Sequence, residues 1–250
     1  MIRTELLTTS HGAVRAVNEV SIDIGTGLTA IIGPNGAGKS TLLSTIGRLI
    51  SADRGVVTVD GMDVFSTRSN RLARTLAVLR QDNHLAIRLS VDDLVNFGRF
   101  PHGGSGRTPE DRVHVDRAIS LLGLDGVRTR FLDELSGGQR QRAFVAMALA
   151  QDTEYLLLDE PLNNLDPRHS ISLMKLLQRL GAERAMTIVV VMHDINVAAQ
   201  FANHVVAMRE GAVIQHGPVA EVISEANLTA LYDTPVRVAN VAGRRVVLWD

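Results

Sequence analysis

The first residues with an evident chemistry form a glycine-rich stretch between an apolar run and a predicted helix. Residues Gly33 to Ser40 follow the order G-x-x-x-x-G-K-S, after the β-rich run LTAII and before the helical pattern TLLSTIGRLI. Glycines 36 and 38 allow backbone N–H groups to turn inward, where they bind anionic oxygens. We therefore interpret this stretch as a phosphate-binding loop. A plain strand-to-helix turn with an excess of glycine is the alternative.

Three side chains at the end of this loop have the chemistry that a triphosphate and its metal require. Lys39 supplies a positive charge for the terminal phosphates, Ser40 a hydroxyl ligand for Mg²⁺, and Thr41 a hydroxyl for a phosphate oxygen. The pattern thus predicts a nucleoside triphosphate with Mg²⁺. The residues predicted to contact nucleotide here are Gly33, Pro34, Asn35, Gly36, Ala37, Gly38, Lys39, Ser40 and Thr41.

An acidic pair follows a second apolar run, YLLL. Asp159 and Glu160 end this predicted strand and precede Pro161. Ligands of open α/β sheets bind at the carboxyl ends of the strands. We predict that Asp159 holds Mg²⁺ through water, and that Glu160, turned to a new direction, polarises an attacking water. A solvated strand end is the alternative.

A second glycine-opened helix begins in LSGGQRQR. Ser136 is a natural N-cap, and Gly137 and Gly138 leave the first backbone N–H groups unobstructed. Such a helix end binds anions. Because the phosphate loop already surrounds a triphosphate within one chain, we predict that this helix end meets nucleotide bound by a second copy, across a two-fold axis. An ordinary capped helix is the alternative.

The elements that must position these residues alternate between strand and helix patterns. Short β-rich runs open the chain, and residues from about 90 to 150 have a helical pattern. The continuous apolar runs EYLLLDE and MTIVVVM are typical of parallel strands covered on both faces. We predict an α/β fold with a mixed sheet core, an N-terminal antiparallel β region and a helical subdomain at about 90–150. Residues 1–250 would form a single nucleotide-binding domain.

Composition excludes several other classes of protein. The 250 residues have a net charge of −1, so no basic excess indicates a nucleic-acid partner. Cysteine is absent, which excludes disulfides and thiolate metal sites. The longest apolar runs, FVAMALA and MTIVVVM, are shorter than the roughly 20 residues that cross a bilayer. Any membrane-spanning part must therefore be supplied by other chains.

The segments GPNGAGKST, LSGGQRQR, LLLDEP, NNLD and VVMHD together resemble the motifs of the nucleotide-binding subunits of ABC transporters. They occur in the family's order, and the resemblance extends over essentially the whole chain. It implies the P-loop NTPase fold of ABC ATPases, with ATP and Mg²⁺ bound. It also implies hydrolysis by in-line attack of water on the γ-phosphate.

The resemblance also implies roles for residues that the patterns alone do not assign. Gln81 would sense Mg²⁺ and the γ-phosphate, His193 would contact the γ-phosphate, and Asp166 would cross the dimer interface. Asp166 is equally suited to N-cap the helix beginning at Pro167. His11 stands where the family usually has an aromatic residue that stacks on adenine. The predicted catalytic residues are Lys39, Gln81, Glu160 and His193; the metal ligands are Ser40, Gln81 and Asp159; the remaining nucleotide contacts are His11, Ser136, Gly137, Gly138, Gln139 and Asp166.

The partners implied by the resemblance are a second copy and membrane subunits. The copies would form a head-to-tail homodimer, and integral membrane permease subunits would dock on Asp82 to Phe100. An extracytoplasmic substrate-binding protein would take part indirectly, and the chain would lie on the cytoplasmic face of the membrane. Core packing is the alternative role for Phe97 and Phe100.

Finer resemblance concerns the cargo. LVNFGRFPH and VVMHDINVAAQFANHVVAM are similar to segments of the ATPases of iron–siderophore importers. Haem, cobalamin or other metal-chelate importers are the alternatives. A soluble ABC ATPase acting on nucleic acid or ribosomes is disfavoured because this chain is short, near-neutral and single. A binding module without turnover is disfavoured because Glu160 supplies a base.

Overall fold

The computed structural model describes residues 1–81, 87–103 and 108–249. The chain divides into two compact units. The first consists of Met1–Thr67 and Gln178–Asp250, and the second of Arg68–Leu177. The second unit contains the predicted helical region together with two strands. The single domain and its inserted subdomain remain predictions.

The first part of the first unit contains an antiparallel sheet and the phosphate loop. Its sheet has the strand order β2-β1-β4-β5, which confirms the predicted N-terminal antiparallel region. Asp60 and Gly61 form the tight turn between β4 and β5, with φ angles of 51° and 72°. The elements are β1 (Ile2–His11), β2 (Val14–Ile24), β3 (Gly27–Ile32), α1 (Lys39–Ile46), β4 (Arg54–Val59) and β5 (Met62–Asp63).

The second unit is mainly helical. Two strands, β6 and β7, pair in parallel, with Leu76 opposite Tyr155 and Leu79 opposite Leu158. Single 3-10 turns occupy Asp125–Val127 and Leu132–Glu134. The elements are α2 (Ser69–Thr75), β6 (Leu76–Leu79), α3 (Val91–Phe97), α4 (Phe100–Gly103), α5 (Pro109–Leu121), α6 (Gly137–Ala150), β7 (Tyr155–Asp159) and α7 (Pro167–Glu183), whose last residues belong to the first unit.

Side-chain caps fix where the helices of the second unit begin. Ser90 caps α3, and Thr108 caps α5 with Pro109 in the first turn; both form reciprocal capping boxes with an aspartate three residues on. Caps of this kind contribute about 1 kcal/mol each. In the described ranges, none of the helices has the length and apolar character needed to span a bilayer.

The C-terminal part of the first unit completes a mixed sheet. β3 pairs in parallel with β8 and β9, and β9 pairs antiparallel with β10 through a turn at Glu210 and Gly211. A separate hairpin, β11–β12, ends the chain. The elements are β8 (Thr187–Val191), α8 (Ile195–Phe201), β9 (His204–Arg209), β10 (Ala212–Pro218), α9 (Val219–Val222), α10 (Glu225–Tyr232), β11 (Val236–Val241) and β12 (Arg244–Trp249).

Continuous apolar strands form the centre of the first unit. Residues Leu28–Ile32 of β3 and Ile188–Val191 of β8 are buried, as their sequence predicted. Burial of each large aliphatic side chain contributes about 1.5–3 kcal/mol. Because β3 and β8 are parallel, the segments that follow them emerge at the same edge of the sheet. These segments are the phosphate loop and the chain that contains His193.

Candidate active site

Glycine is required at both ends of the phosphate loop because backbone carbonyls lie against it. Gly33 has φ +150°, and a Cβ there would lie 2.1 Å from the Met208 carbonyl oxygen. Gly38 has φ +94°, and its Cβ would lie 2.0 Å from the Ala16 carbonyl oxygen. A Cβ on Gly36 would instead meet nothing within 4 Å. The loop is therefore backed by protein at its ends and open at Gly36.

The Lys39 ammonium lies over the start of this loop. Its Nζ donates to the carbonyl oxygens of Gly33 and Pro34, both at 2.8 Å, and the residue is only 5% exposed. An ammonium at this place can form charge-assisted hydrogen bonds to a phosphate group.

His11 is the exposed last residue of β1 and lies beside the first turn of α1. Its Nε2 is 3.2 Å from the Thr41 hydroxyl oxygen. This contact brings two of the predicted nucleotide contacts together. Stacking of the His11 ring on adenine remains a prediction.

His193 is exposed directly beyond β8. The backbone N–H of Met192 continues the sheet by donating to the Ile31 carbonyl at 3.1 Å. Asp194 then caps α8 by accepting from the N–H groups of Asn196 at 2.8 Å and Val197 at 3.1 Å. Asp194 is therefore the N-cap of α8. His193 lies between a sheet strand and a fixed helix end.

In the second unit, Glu160 is turned away from its strand. Its φ is +50°, a left-handed conformation that is uncommon for residues other than glycine, and it is only 8% exposed. Its Oε2 accepts from the Gln81 side-chain amide at 2.7 Å and from the Asn163 side-chain amide, also at 2.7 Å. Two amides therefore orient one carboxylate. Local backbone strain at a turn of this kind is common at functional sites.

The sequence analysis missed the role of Asn163. It lies in the NNLD segment, where the sequence indicates a role only for Asp166. Gln141 of α6 was also missed; its side-chain amide donates to the Pro161 carbonyl at 3.3 Å and so supports the turn after Glu160. An asparagine three residues after a strand-end glutamate was the available signal for Asn163.

Asp159, the predicted magnesium ligand of the second unit, ends β7 and is only 4% exposed. Among the described residues, no group of three or more His, Asp or Glu side chains is arranged as a metal site. The role of Asp159 as a magnesium ligand remains a prediction.

The helix α6 begins as the sequence predicted. The Ser136 hydroxyl accepts from the Gln139 N–H at 3.2 Å, and the Gln139 side chain accepts from the Ser136 N–H at 3.1 Å. A Cβ on Gly138 would lie 3.0 Å from the Asn164 carbonyl oxygen. The glycines therefore also permit close approach of the 162–166 segment. Contact between this helix end and a nucleotide bound by a second copy remains a prediction.

Asp166 is exposed at the start of α7. Its Oδ1 accepts from the His169 backbone N–H at 2.9 Å, and the His169 ring Nδ1 lies 2.8 Å away. These hydrogen bonds, the backbone one first, hold the pKa of Asp166 below its ordinary value. Asp166 therefore has the N-cap role predicted as one of its two functions. Its position at a dimer interface remains a prediction.

Exposed apolar side chains lie within the predicted docking segment. Ile87, Phe97 and Phe100 are exposed, so the alternative that the two phenylalanines pack in the core is wrong. Residues 82–86 of that segment lie outside the described residues. The exposed apolar surface is compatible with a protein partner.

The fold and these contacts define a class of protein: an α/β nucleotide-binding protein with a phosphate loop, a strand-end acidic pair and an amide-held glutamate. Comparison with known proteins gives the family. The family model described as ABC transporter matches residues 17–163. This chain belongs to the ABC transporter family. It is an ATPase of the ABC type.

Individual relatives match over nearly the whole chain. The chain is 44% identical to the petrobactin import ATP-binding protein YclP of Bacillus subtilis (strain 168), over 98% of both chains. It is 50% identical to the petrobactin import ATP-binding protein FatE of Bacillus anthracis, over 85% of each. Its fold matches the dimeric cassette MJ0796 with a TM-score of 0.80 at 28% identity, covering 88% of this chain and 99% of that one.

Proposed function

We propose that this chain hydrolyses ATP to power an importer of iron–siderophore complexes. The observation that supports this cargo class is the 44% identity, over 98% of both chains, to a relative named for petrobactin import. Cargo would pass through other subunits, so no residue of this chain is expected to touch it. The cargo class therefore rests on the relatives, whereas the chemistry rests on the site.

The phosphate loop fits the triphosphate of ATP. Its open side at Gly36 leaves space for phosphate oxygens next to backbone N–H groups, and α1 begins directly after the loop. Two carbonyls hold the Lys39 ammonium at the start of the loop. When nucleotide binds, this ammonium would turn and donate hydrogen bonds to the terminal phosphates. His11, beside Thr41, would face the adenine end of the nucleotide.

The residues also fit a magnesium ion by their donor chemistry. The Ser40 hydroxyl, the Asp159 carboxylate and the Gln81 amide oxygen are all hard oxygen donors, which Mg²⁺ prefers. Gln81 uses its amide nitrogen to donate to Glu160, and its amide oxygen is the end suited to a cation. A bound Mg²⁺ would neutralise part of the negative charge on the phosphates.

Glu160 is the residue that would activate water. A carboxylate oxygen would accept a proton as the water oxygen forms a bond to the γ-phosphorus and the bond to the ADP oxygen breaks. Lys39 and the loop N–H groups would stabilise the charge on the γ-phosphoryl oxygens. His193, exposed beyond β8, would donate to one of these oxygens.

The assembly we propose contains two copies and a membrane permease. In a head-to-tail dimer, residues 136–139 of one copy and Asp166 would approach the nucleotide on the other. The exposed Ile87, Phe97 and Phe100 would form part of the surface that docks with the permease, at the cytoplasmic face of the membrane. An extracytoplasmic binding protein would deliver the cargo to the permease.

A complementation experiment tests the proposed function. In a strain that lacks this chain, growth with a ferric siderophore such as ferric petrobactin as the sole iron source should be restored by the wild-type chain and not by the Glu160→Gln variant. A simple iron salt at high concentration is the control that should support all strains equally. Restoration by neither chain would overturn the proposed cargo. Restoration by both would overturn the role of ATP hydrolysis.

A further inference from the structure

The C-terminal segment, residues 219–249, contains no motif to which the proposed function assigns a role. Its hairpin is attached to its own helices: Arg245 donates to the carbonyls of Ala220 and Ile223, both at 2.8 Å. The Val238 N–H donates to the Glu225 side chain at 2.9 Å. We call this segment the C-terminal clasp. Its four elements are thus joined to one another by hydrogen bonds.

One contact joins the clasp to the helix that follows His193. The Asn196 side chain donates to the Val247 carbonyl at 3.2 Å and accepts from the Val247 N–H at 2.7 Å. A primary amide that bonds one backbone residue in both directions has a fixed orientation. Asn196 lies in the first turn of α8, only three residues after His193, and Val247 is buried. The clasp therefore fixes the chain beside His193.

A ring contact joins α10 to the end of the hairpin within the clasp. The Tyr232 ring meets Trp249 edge to face, with centroids 5.4 Å apart and an interplanar angle of 86°. Burial raises the pKa of Tyr232 to about 12, so the hydroxyl stays neutral at physiological pH.

We propose that the C-terminal clasp positions His193 in the nucleotide site, through Asn196. The inference rests on the proposed function because His193 is proposed there to contact ATP. Asn196 is a positioning residue, since it acts through the first turn of α8. Its loss should therefore affect turnover more than nucleotide binding.

The Asn196→Leu variant tests the contact with Val247. Leucine is similar in size but loses both hydrogen bonds to Val247. We expect kcat to fall about tenfold while KM for ATP changes less than about twofold, because His193 acts on the reacting phosphate. The Asn196→Asp variant keeps the acceptor for the Val247 N–H and should lose less activity.

Fluorescence gives a second readout. Trp249 is the only tryptophan of the chain, so its emission reports on the clasp directly. ATP should change this emission in the wild type and much less in Asn196→Leu, because the contact between the clasp and α8 is lost.

Asn227→Leu is the matched control. Asn227 donates to the carbonyls of Glu221 and Val222 within the clasp, at 3.0 and 3.3 Å. Its replacement should lower Tm without separating kcat from KM. Equal kinetic losses in Asn196→Leu and Asn227→Leu, or a lower Tm with unchanged kinetics in both, would show a purely structural clasp and overturn the inference. The proposed function fails separately, if the wild type neither hydrolyses ATP nor restores growth.

Discussion

At the scale of single residues, the orientation of Glu160 is decided by side-chain amides. Gln81 and Asn163 donate to the same oxygen at the same distance of 2.7 Å, and the left-handed turn brings the carboxylate to them. Each bond to a charged acceptor contributes about 1.5–3 kcal/mol. If Gln81 moves to a metal, Asn163 is the donor that still orients the proposed base.

Replacing Asn163 by alanine should therefore lower turnover without weakening nucleotide binding. We expect kcat to fall about tenfold, because one donor to the base is lost, with an unchanged Kd for ATP. Asn163→Asp is the matched variant: it has the same shape, lacks the N–H donors and places a like charge beside Glu160. It should lose more activity than Asn163→Ala. Steady-state kinetics with calorimetric ATP titration measure both quantities, and full turnover by Asn163→Asp would contradict the assignment.

At the scale of elements, local and distant contacts differ in how far sequence predicts them. The caps at Ser90, Ser136 and Asp194 were predictable because a cap bonds residues two or three positions away. The bond between Gln81 and Glu160 spans 79 positions, and that between Asn196 and Val247 spans 51. Residue types alone cannot identify such pairs, because the pairs depend on how the strands and helices are arranged in three dimensions. The phosphate loop was predictable because its phosphate-binding residues and the helix that follows them are adjacent in the sequence.

The start of α6 allows a test that separates capping from nucleotide contact. Ser136→Ala removes the cap and should destabilise the protein by about 1 kcal/mol while leaving most ATPase activity. Ser136→Arg loses the same cap and adds a long side chain at the proposed contact with a second copy. It should abolish most hydrolysis while ATP binding by the monomer persists. Undiminished hydrolysis by Ser136→Arg would argue against a shared site.

A buried ion pair joins the helices of the second unit and makes its stability depend on pH. Arg99 Nε donates to Asp111 at 2.9 Å, both side chains are 5% exposed, and Arg99 also binds the Ala150 carbonyl. The hydrogen bond from Arg99 is the main cause that holds the pKa of Asp111 below its ordinary value, despite burial. Removing one partner of such a pair costs about 3–5 kcal/mol.

Because the folded-state pKa of Asp111 is depressed, its contribution is present above the ordinary aspartate pKa and is lost as pH falls through the depressed value. Arg99→Met should lower the free energy of unfolding by about 3 kcal/mol at pH 7. The difference from wild type should shrink in strong acid. Urea unfolding at pH 7 and below pH 4 measures both, and a difference independent of pH would contradict this account. Exposed Arg3 and Asp23 supply the control pair: Arg3→Met should cost little.

At the scale of the whole molecule, one chain contributes one phosphate loop and one α6 helix end. A two-fold dimer of such chains contains two of each, so both nucleotides can be contacted by both copies. The dimeric state of the MJ0796 cassette, to which this fold is similar, supports that arrangement as a proposal. Hydrolysis should then require association of two chains, and its rate should depend on protein concentration.

Glu160→Gln provides the test of that dependence. Glutamine keeps the shape of Glu160 but cannot take a proton, so ATP should bind, hydrolysis should stop and the ATP-bound dimer should accumulate. Light scattering with and without ATP measures the mass, and the wild type with ADP is the control that should remain monomeric. In the wild type, specific activity should rise with protein concentration, because a bimolecular step precedes chemistry. Full specific activity from a protomer diluted far below the dimer Kd would exclude a catalytic centre shared between two copies.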